Sequence, residues 1–73
     1  MFKVVKCNTV GGKVYQIKRL LNAHGFKMSE NGDYDDLTRL AILVFQNNHH
    51  ITRTGAVDFK TWVELNKIEG EKQ

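Results

Sequence analysis

The sequence of 73 residues fits one small domain, and a chain of this size leaves little room for a deep catalytic cleft. Its hydrophobic content of 41% and charged content of 26% are ordinary for a globular domain, and no apolar run approaches the roughly 18 residues of a membrane span. The net charge of +3, with basic residues crowded into the first third, fits an anionic partner and equally an ordinary solvated face.

The N-terminal segment contains the single cysteine and no recognisable targeting signal. Residues Met1–Lys6 lack the long apolar stretch and the small-residue cleavage site of a signal peptide. Cys7 has no partner for an internal disulfide, so we expect a fold that does not depend on oxidation. Cys7 is expected to act as a small, half-buried hydrophobic residue.

The first predicted element is a helix from Lys13 to about His24. Gly25 follows it, where a left-handed residue that ends the helix is expected. Phe26 then returns an apolar group to the core. The apolar residues of this helix recur at helical spacing: Val14, Ile17, Leu20 and Leu21.

The second and third helices are predicted over Asp36–Asn48 and Phe59–Lys67, and a repeated motif precedes each of them. Segments 32–38 and 55–61 both read Gly-x-apolar-Asp-x-x-Thr. In each copy the glycine is expected to allow a turn with positive φ, and the apolar residue two positions later to fill the core. The aspartate can accept hydrogen bonds from the free amides of the first helical turn, where the helix dipole also favours negative charge.

Together these elements predict an all-α fold, a compact three-helix bundle with structured loops. Segments 27–34 and 49–57 do not alternate well enough between polar and apolar residues to predict strands. We assign residues 1–68 to one domain and residues 69–73 to a polar tail or the start of a linker.

The second helix is apolar on more sides than a three-helix domain can bury. If positions 38, 41, 42 and 45 face the core, a step of about 100° per residue sends Leu40 and Leu43 to roughly the opposite side. We hypothesise that Leu40 and Leu43 dock a neighbouring domain or subunit, with scattered surface leucines as the alternative.

Three blocks of the chain carry a resemblance to a known family. They contain Gly11, Val14, Ile17, Leu21 and Gly25; then Asn31-Gly32, Tyr34, Thr38, Ala41-Ile42 and Phe45-Gln46; then Ile51, Thr54-Gly55, Val57-Asp58, Thr61-Trp62 and Leu65. With these residues, segment 11–65 resembles the peptidoglycan-binding domain of endolysins, amidases and other cell-wall hydrolases, which is related to the prodomain of matrix metalloproteinases. The resemblance implies a non-catalytic module that binds peptidoglycan and tethers a fused or associated hydrolase, with a phage lysin as one expected context.

The sequence departs from the family pattern at several positions. Lys18 stands where glutamine is usual, Asp35 where glycine is usual, and His50 where glycine usually precedes the third block. These departures favour an alternative function, a protein-interaction module on the same fold that has lost wall binding.

Candidate ligand-binding residues combine aromatic rings with polar groups. Tyr34 and Trp62 could stack on sugar faces, with the Tyr34 hydroxyl expected to reach the loop surface. Arg39, Gln46 and Arg53 could bind the carboxylates of wall stem peptides, because guanidinium groups pair with carboxylates through two parallel hydrogen bonds. Core and ordinary surface positions are the alternatives for these residues.

Metal, catalytic and nucleic-acid sites are disfavoured. His24, His49 and His50, with Cys7, lack the spacing of a zinc site, and the acidic loop 30–36 lacks the ligand order of a calcium loop. We therefore predict no metal and no cofactor. No suggestive Ser-His-Asp, Cys-His or glycosidase carboxylate arrangement is present, so we predict no enzyme activity.

A nucleic-acid partner is disfavoured because the second and third helices carry few cations. These are Arg39, Lys60 and Lys67, fewer than a recognition helix normally presents. The partner expected from the resemblance is peptidoglycan, with no membrane association. The expected site of action is the cell wall or periplasm, reached from the cytoplasm by lysis, with a partner or in a phage particle.

Overall fold

The computed structural model describes residues 2–67 and contains three helices, α1 (Gly12–Ala23), α2 (Asp36–Asn48) and α3 (Phe59–Leu65). The predicted all-α bundle is confirmed. The third helix ends at Leu65 rather than Lys67, with Asn66 as its C-cap; the Asn66 side chain donates a hydrogen bond to the Trp62 carbonyl at 2.8 Å. The proposed tail, residues 69–73, lies outside the described residues.

Helix α1 supplies one wall of the core through Val14, Ile17 and Leu21, which are fully buried. The helix ends as predicted, with Gly25 at a φ of 103°. The amide of Phe26 then donates to the carbonyl of Leu21 at 3.1 Å, which returns the chain toward the core.

The repeated motif starts α2 and α3 as predicted. The Asp35 carboxylate accepts a hydrogen bond from the Thr38 amide at 3.0 Å, and Asp58 accepts one from the Thr61 amide at 2.9 Å. The apolar residues of the two copies, Tyr34 and Val57, are 1% and 0% exposed, so both fill the core.

The two motif glycines have different roles, and the prediction was correct for one of them. Gly55 has a φ of 79°. Gly32 does not adopt a positive φ, so that expectation was wrong. A Cβ atom at Gly32 would lie 2.8 Å from the Gly11 carbonyl oxygen, which explains the glycine by close approach of two backbone segments.

The N-terminal segment ties the loops together, a feature that the sequence pattern did not predict. Val5 forms an isolated antiparallel bridge with Val57, with N–H···O distances of 3.0 and 2.7 Å, and Val10 forms another with Asp33. These single bridges hold the segments before α2 and α3 against the chain start, so both loops are fixed at their bases. Cys7 packs half-buried against the core, as predicted.

Candidate functional site

Two arginines and a shallow depression lie together on one side of α2. The depression is lined by Leu43, Val44, Asn47 and Arg53, and it opens to solvent. Arg39 is exposed one turn before Leu43. We call the surface formed by these five residues the arginine face.

The stem of Arg39 crosses the turn at Gly55. A Cβ atom at Gly55 would lie 3.0 Å from Cγ of Arg39, so a side chain at residue 55 would displace the arginine. Arg53 belongs to the same loop, two residues before Gly55, and lines the depression on α2. Arg39 and Arg53, two of the predicted ligand residues, are both exposed on this side of the molecule.

The buried side chain of Gln46 fixes the loop at residues 54–56 through hydrogen bonds. Its Oε1 accepts hydrogen bonds from the amides of Thr54 at 2.9 Å and Gly55 at 3.0 Å. Its Nε2 donates to the Ala56 carbonyl at 2.9 Å and to the Thr61 hydroxyl at 3.0 Å. Gln46 is fully buried, so its side chain is not at the surface, where binding a wall carboxylate would require it. It positions the arginine face from the interior.

Tyr34 is also an interior residue. Its side chain is 1% exposed, and its hydroxyl donates a hydrogen bond to the Gly55 carbonyl at 2.7 Å. Burial raises the pKa of the hydroxyl well above its ordinary value, so the group stays protonated and keeps donating. The expectation that the Tyr34 hydroxyl reaches the loop surface was wrong; it anchors the Gly55 turn.

Trp62 lies apart from Arg39 and Arg53, beside the N-terminal segment and α1. It is half-buried, its ring centroid lies 5.8 Å from that of Phe2, and the Lys13 ammonium lies 4.2 Å from its centroid. These contacts come from the N-terminal segment and α1. The structure therefore separates the candidate ligand residues into the arginine face and a second, aromatic surface at Trp62.

The outer side of α2 is apolar along most of its length. Leu40 is 51% exposed, as the helical step predicted, and Leu37 and Val44 are 68% and 49% exposed. Leu43 is half-buried at the edge of the arginine face. We call Leu37, Leu40, Leu43 and Val44 the apolar stripe. Leu37 and Val44 were missed, although their i, i+3, i+7 spacing with Leu40 marks one helical face.

Two departures from the family pattern meet in space. Lys18 is 1% exposed and its ammonium donates to the Asn31 side-chain oxygen at 2.7 Å. The same ammonium lies 3.9 Å from Oδ2 of Asp35. Lys18 thus ties α1 to the loop before α2, and the unusual lysine and the unusual aspartate are electrostatic partners.

The histidines have structural contacts. His24 Nε2 lies 2.9 Å from the Leu65 carbonyl oxygen, and His49 stacks on Phe45 with a centroid distance of 4.1 Å. Across residues 2–67, no three His, Cys, Asp or Glu side chains are grouped closely enough to hold a metal ion. Among the helices of this same span, none is long and apolar enough to cross a bilayer.

The chain is a small all-α module whose second and third helices begin at aspartate caps. Sequence comparison gives the family: the profile of the "Putative peptidoglycan binding domain" matches residues 10–65. The chain therefore belongs to the peptidoglycan-binding domain family, a family of binding domains. No curated protein shows significant sequence similarity to the chain.

Solved structures share this fold. A fused Zn-dependent amidase/peptidase/peptidoglycan-binding domain protein of Clostridium acetobutylicum is 30% identical, with a TM-score of 0.90 over 94% of this chain and 31% of that one. The Burkholderia AP3 phage endolysin is 28% identical, with a TM-score of 0.84 over 97% of this chain and 27% of that one. The SleB N-terminal domain, 23% identical with a TM-score of 0.83, covers 86% of this chain and supports the fold. The chain thus corresponds to about a third of the first two relatives.

Proposed function

We propose that this protein binds bacterial peptidoglycan without catalysis, and that the arginine face contacts the stem peptides. The observation that carries the proposal is that Arg53 lines a shallow depression with apolar walls on α2, while exposed Arg39 on the same helix lies against the turn at Gly55 that follows Arg53. Family membership supports peptidoglycan as the ligand.

The chemistry of the arginine face suits a short acidic peptide. Arg39 and Arg53 can each form paired hydrogen bonds to a carboxylate. Leu43 and Val44 offer an apolar surface to small aliphatic side chains, and the Asn47 amide can donate to or accept from a peptide bond. An open depression of this kind favours repeated weak contacts along a polymer over tight capture of a free small molecule.

Tethering follows from such binding. The matched region is 31% of the amidase/peptidase relative and 27% of the endolysin, which supports a role beside a fused or associated hydrolase. Holding a hydrolase on its insoluble substrate raises the effective concentration of enzyme at the wall without any new catalytic group. We propose the cell wall or periplasm as the site of action, reached by lysis, with a partner or in a phage particle.

The double variant Arg39→Ala/Arg53→Ala tests the arginine face. We expect its affinity for protein-free sacculi to fall roughly tenfold or more, because each lost charge-assisted pair contributes about 1 kcal/mol or more. Arg19→Ala is the matched control, since Arg19 is an exposed arginine on α1 and should retain wild-type binding. Equal losses in both variants would indicate a diffuse charge effect and would contradict the assignment.

A second candidate function, a protein-interaction module, is favoured by the apolar stripe. Leu37, Leu40 and Val44 expose about half or more of their surfaces on one helical face. A contiguous exposed apolar patch of this kind is typical of a contact with another domain or subunit.

The variant Leu40→Lys/Leu43→Lys tests this candidate by solution mass and by retention of protein partners. Loss of a dimer or of a specific partner, with helicity intact, would support an interface on α2. Monodisperse monomers for wild type and variant, with no partner lost, would remove the idea.

A further inference from the structure

Three aromatic rings meet at the surface on the side of the molecule formed by the N-terminal segment and α3. The ring centroid of Phe2 lies 5.8 Å from that of Phe59 and 5.8 Å from that of Trp62. The Lys13 ammonium lies 4.2 Å from the Trp62 centroid and 5.8 Å from that of Phe2. We call these four residues the aromatic platform.

In the aromatic platform, Phe59 is exposed to solvent, whereas Phe2 and Trp62 pack against the hydrophobic core. Phe59 is 62% exposed although it is a large apolar residue. Phe2 and Trp62 are half-buried and pack against the hydrophobic core. A single exposed phenylalanine would be unremarkable, but a ring that is held in contact with anchored neighbours offers a rigid surface to a ligand.

The surroundings of the aromatic platform are basic. Lys13, an exposed residue, places its ammonium over the electron-rich face of Trp62. Exposed Lys3 and Lys60 are the chain neighbours of Phe2 and Phe59. The nearest acidic residue in sequence, Asp58, already accepts a hydrogen bond from the Thr61 amide at 2.9 Å as the cap of α3.

We propose that the aromatic platform binds the amino-sugar backbone of the glycan strand, a contact distinct from stem-peptide binding at the arginine face. The inference rests on the proposed function. The C–H face of a pyranose ring is apolar and carries partial positive charge, so it packs well on the exposed Phe59 ring and, once Lys13 swings aside, on Trp62. The Lys13 ammonium can then donate hydrogen bonds to hydroxyl and acetamido oxygens at the ring edges.

Single-stranded nucleic acid also stacks on aromatic side chains beside cations. The membership of the chain in a peptidoglycan-binding family favours the glycan, so nucleic acid becomes an outcome of the test. The arginine face would then bind the stem peptides of peptidoglycan, and the aromatic platform would bind its glycan strand.

The chain contains a single tryptophan, so intrinsic fluorescence reports the aromatic platform selectively. The full chain is titrated with a β-1,4-linked N-acetylglucosamine hexasaccharide, which carries no stem peptide. We expect a saturable change in Trp62 emission and a weakening of about fivefold or more in Phe59→Ala, the loss of one aromatic contact. Tyr15→Ala, which removes an exposed aromatic side chain on α1 outside the aromatic platform, is the matched control and should bind as wild type.

Each alternative outcome overturns a different statement. Retention on sacculi with no saccharide response in Trp62, or with equal binding by Phe59→Ala, would refute the glycan contact and leave the proposed function standing. A salt-sensitive response to oligothymidylate at lower concentration than to the saccharide would replace the glycan by nucleic acid. Thermal unfolding of Phe59→Ala monitored by circular dichroism checks that any loss of binding occurs in a folded protein.

Discussion

His50 occupies a backbone conformation that favours glycine. Its φ is 59°, and it lies just beyond the end of α2, where the Ile51 amide donates to the Gln46 carbonyl at 2.8 Å. Gly25 has the same place after α1, with a φ of 103°. The family pattern has glycine where His50 stands, and the structure supplies the reason: a left-handed residue ends each of the first two helices.

Replacing His50 with glycine is expected to stabilise the protein. The substitution removes the steric cost of a Cβ in the left-handed region, partly offset by greater entropy of the unfolded chain. We expect the free energy of unfolding to rise by about 0.5–1 kcal/mol in urea denaturation. A lower free energy of unfolding would show that the exposed imidazole makes stabilising contacts that outweigh the backbone strain.

Gln46 is expected to be the polar residue on which the structure depends most. In Gln46→Ala the buried Gly55 amide and the buried Thr61 hydroxyl lose their Gln46 partner, and each unpaired buried polar group costs about 1–3 kcal/mol. We expect a loss of roughly 3 kcal/mol or more by urea denaturation. Asn47→Ala, at the neighbouring exposed position, should stay within about 0.5 kcal/mol; similar losses in both variants would contradict this role.

At the scale of elements, the start of α2 gives the protein a specific acid sensitivity. Hydrogen bonds from the Thr38 hydroxyl and amide, with a smaller contribution from the charge of Lys18, lower the pKa of Asp35 below its ordinary value. A carboxyl with a lowered folded pKa stabilises the protein above its unfolded pKa, near 4, and this stabilisation is lost as pH falls through the lowered value. The pair with Lys18 contributes little, since Asp35 is 53% exposed.

Asp35→Asn isolates this effect. The asparagine keeps an acceptor for the Thr38 amide but does not ionise, so unfolding free energy should depend less on pH below about 4 than in the wild type. Urea denaturation at a series of pH values measures both profiles. Superimposable profiles would show that other carboxylates control the acid response.

The positions of the helices could be predicted from sequence because their determinants are local. Capping aspartates at residues 35 and 58 and a glycine at residue 25 define helix ends within one turn of chain. The bridge between Val5 and Val57 could not be predicted, since it joins residues far apart in sequence and neither segment alternates. Only the folded backbone brings them together.

The candidate site was predictable where exposure followed from the helical step. Arg39 and Leu40 are exposed as their positions on α2 indicate. Gln46 was misassigned although it lies four residues after buried Ile42, a spacing that places it on the inward face. The polar side chain of Gln46 suggested an exposed position, although its helical spacing from Ile42 indicated a buried one. The aromatic platform could not be predicted from the sequence, because Phe2 lies outside any helix and contacts Phe59 only in the folded protein.

At the scale of the whole molecule, the fold places two chemically different surfaces on a small, rigid scaffold. The arginine face belongs to α2 and the loop after it, whereas the aromatic platform belongs to the chain start, α1 and α3. Both surfaces are shallow, so affinity for a repeating polymer would come from several weak contacts made together. Such a module suits attachment to an insoluble wall.

The central claim, that the protein binds peptidoglycan, is tested most directly by sedimentation with purified, protein-free sacculi. We expect the chain to pellet with the sacculi in a saturable manner at low ionic strength, and soluble muropeptides released from the same wall to displace it. Complete recovery of the chain in the supernatant under these conditions would show that it does not bind peptidoglycan.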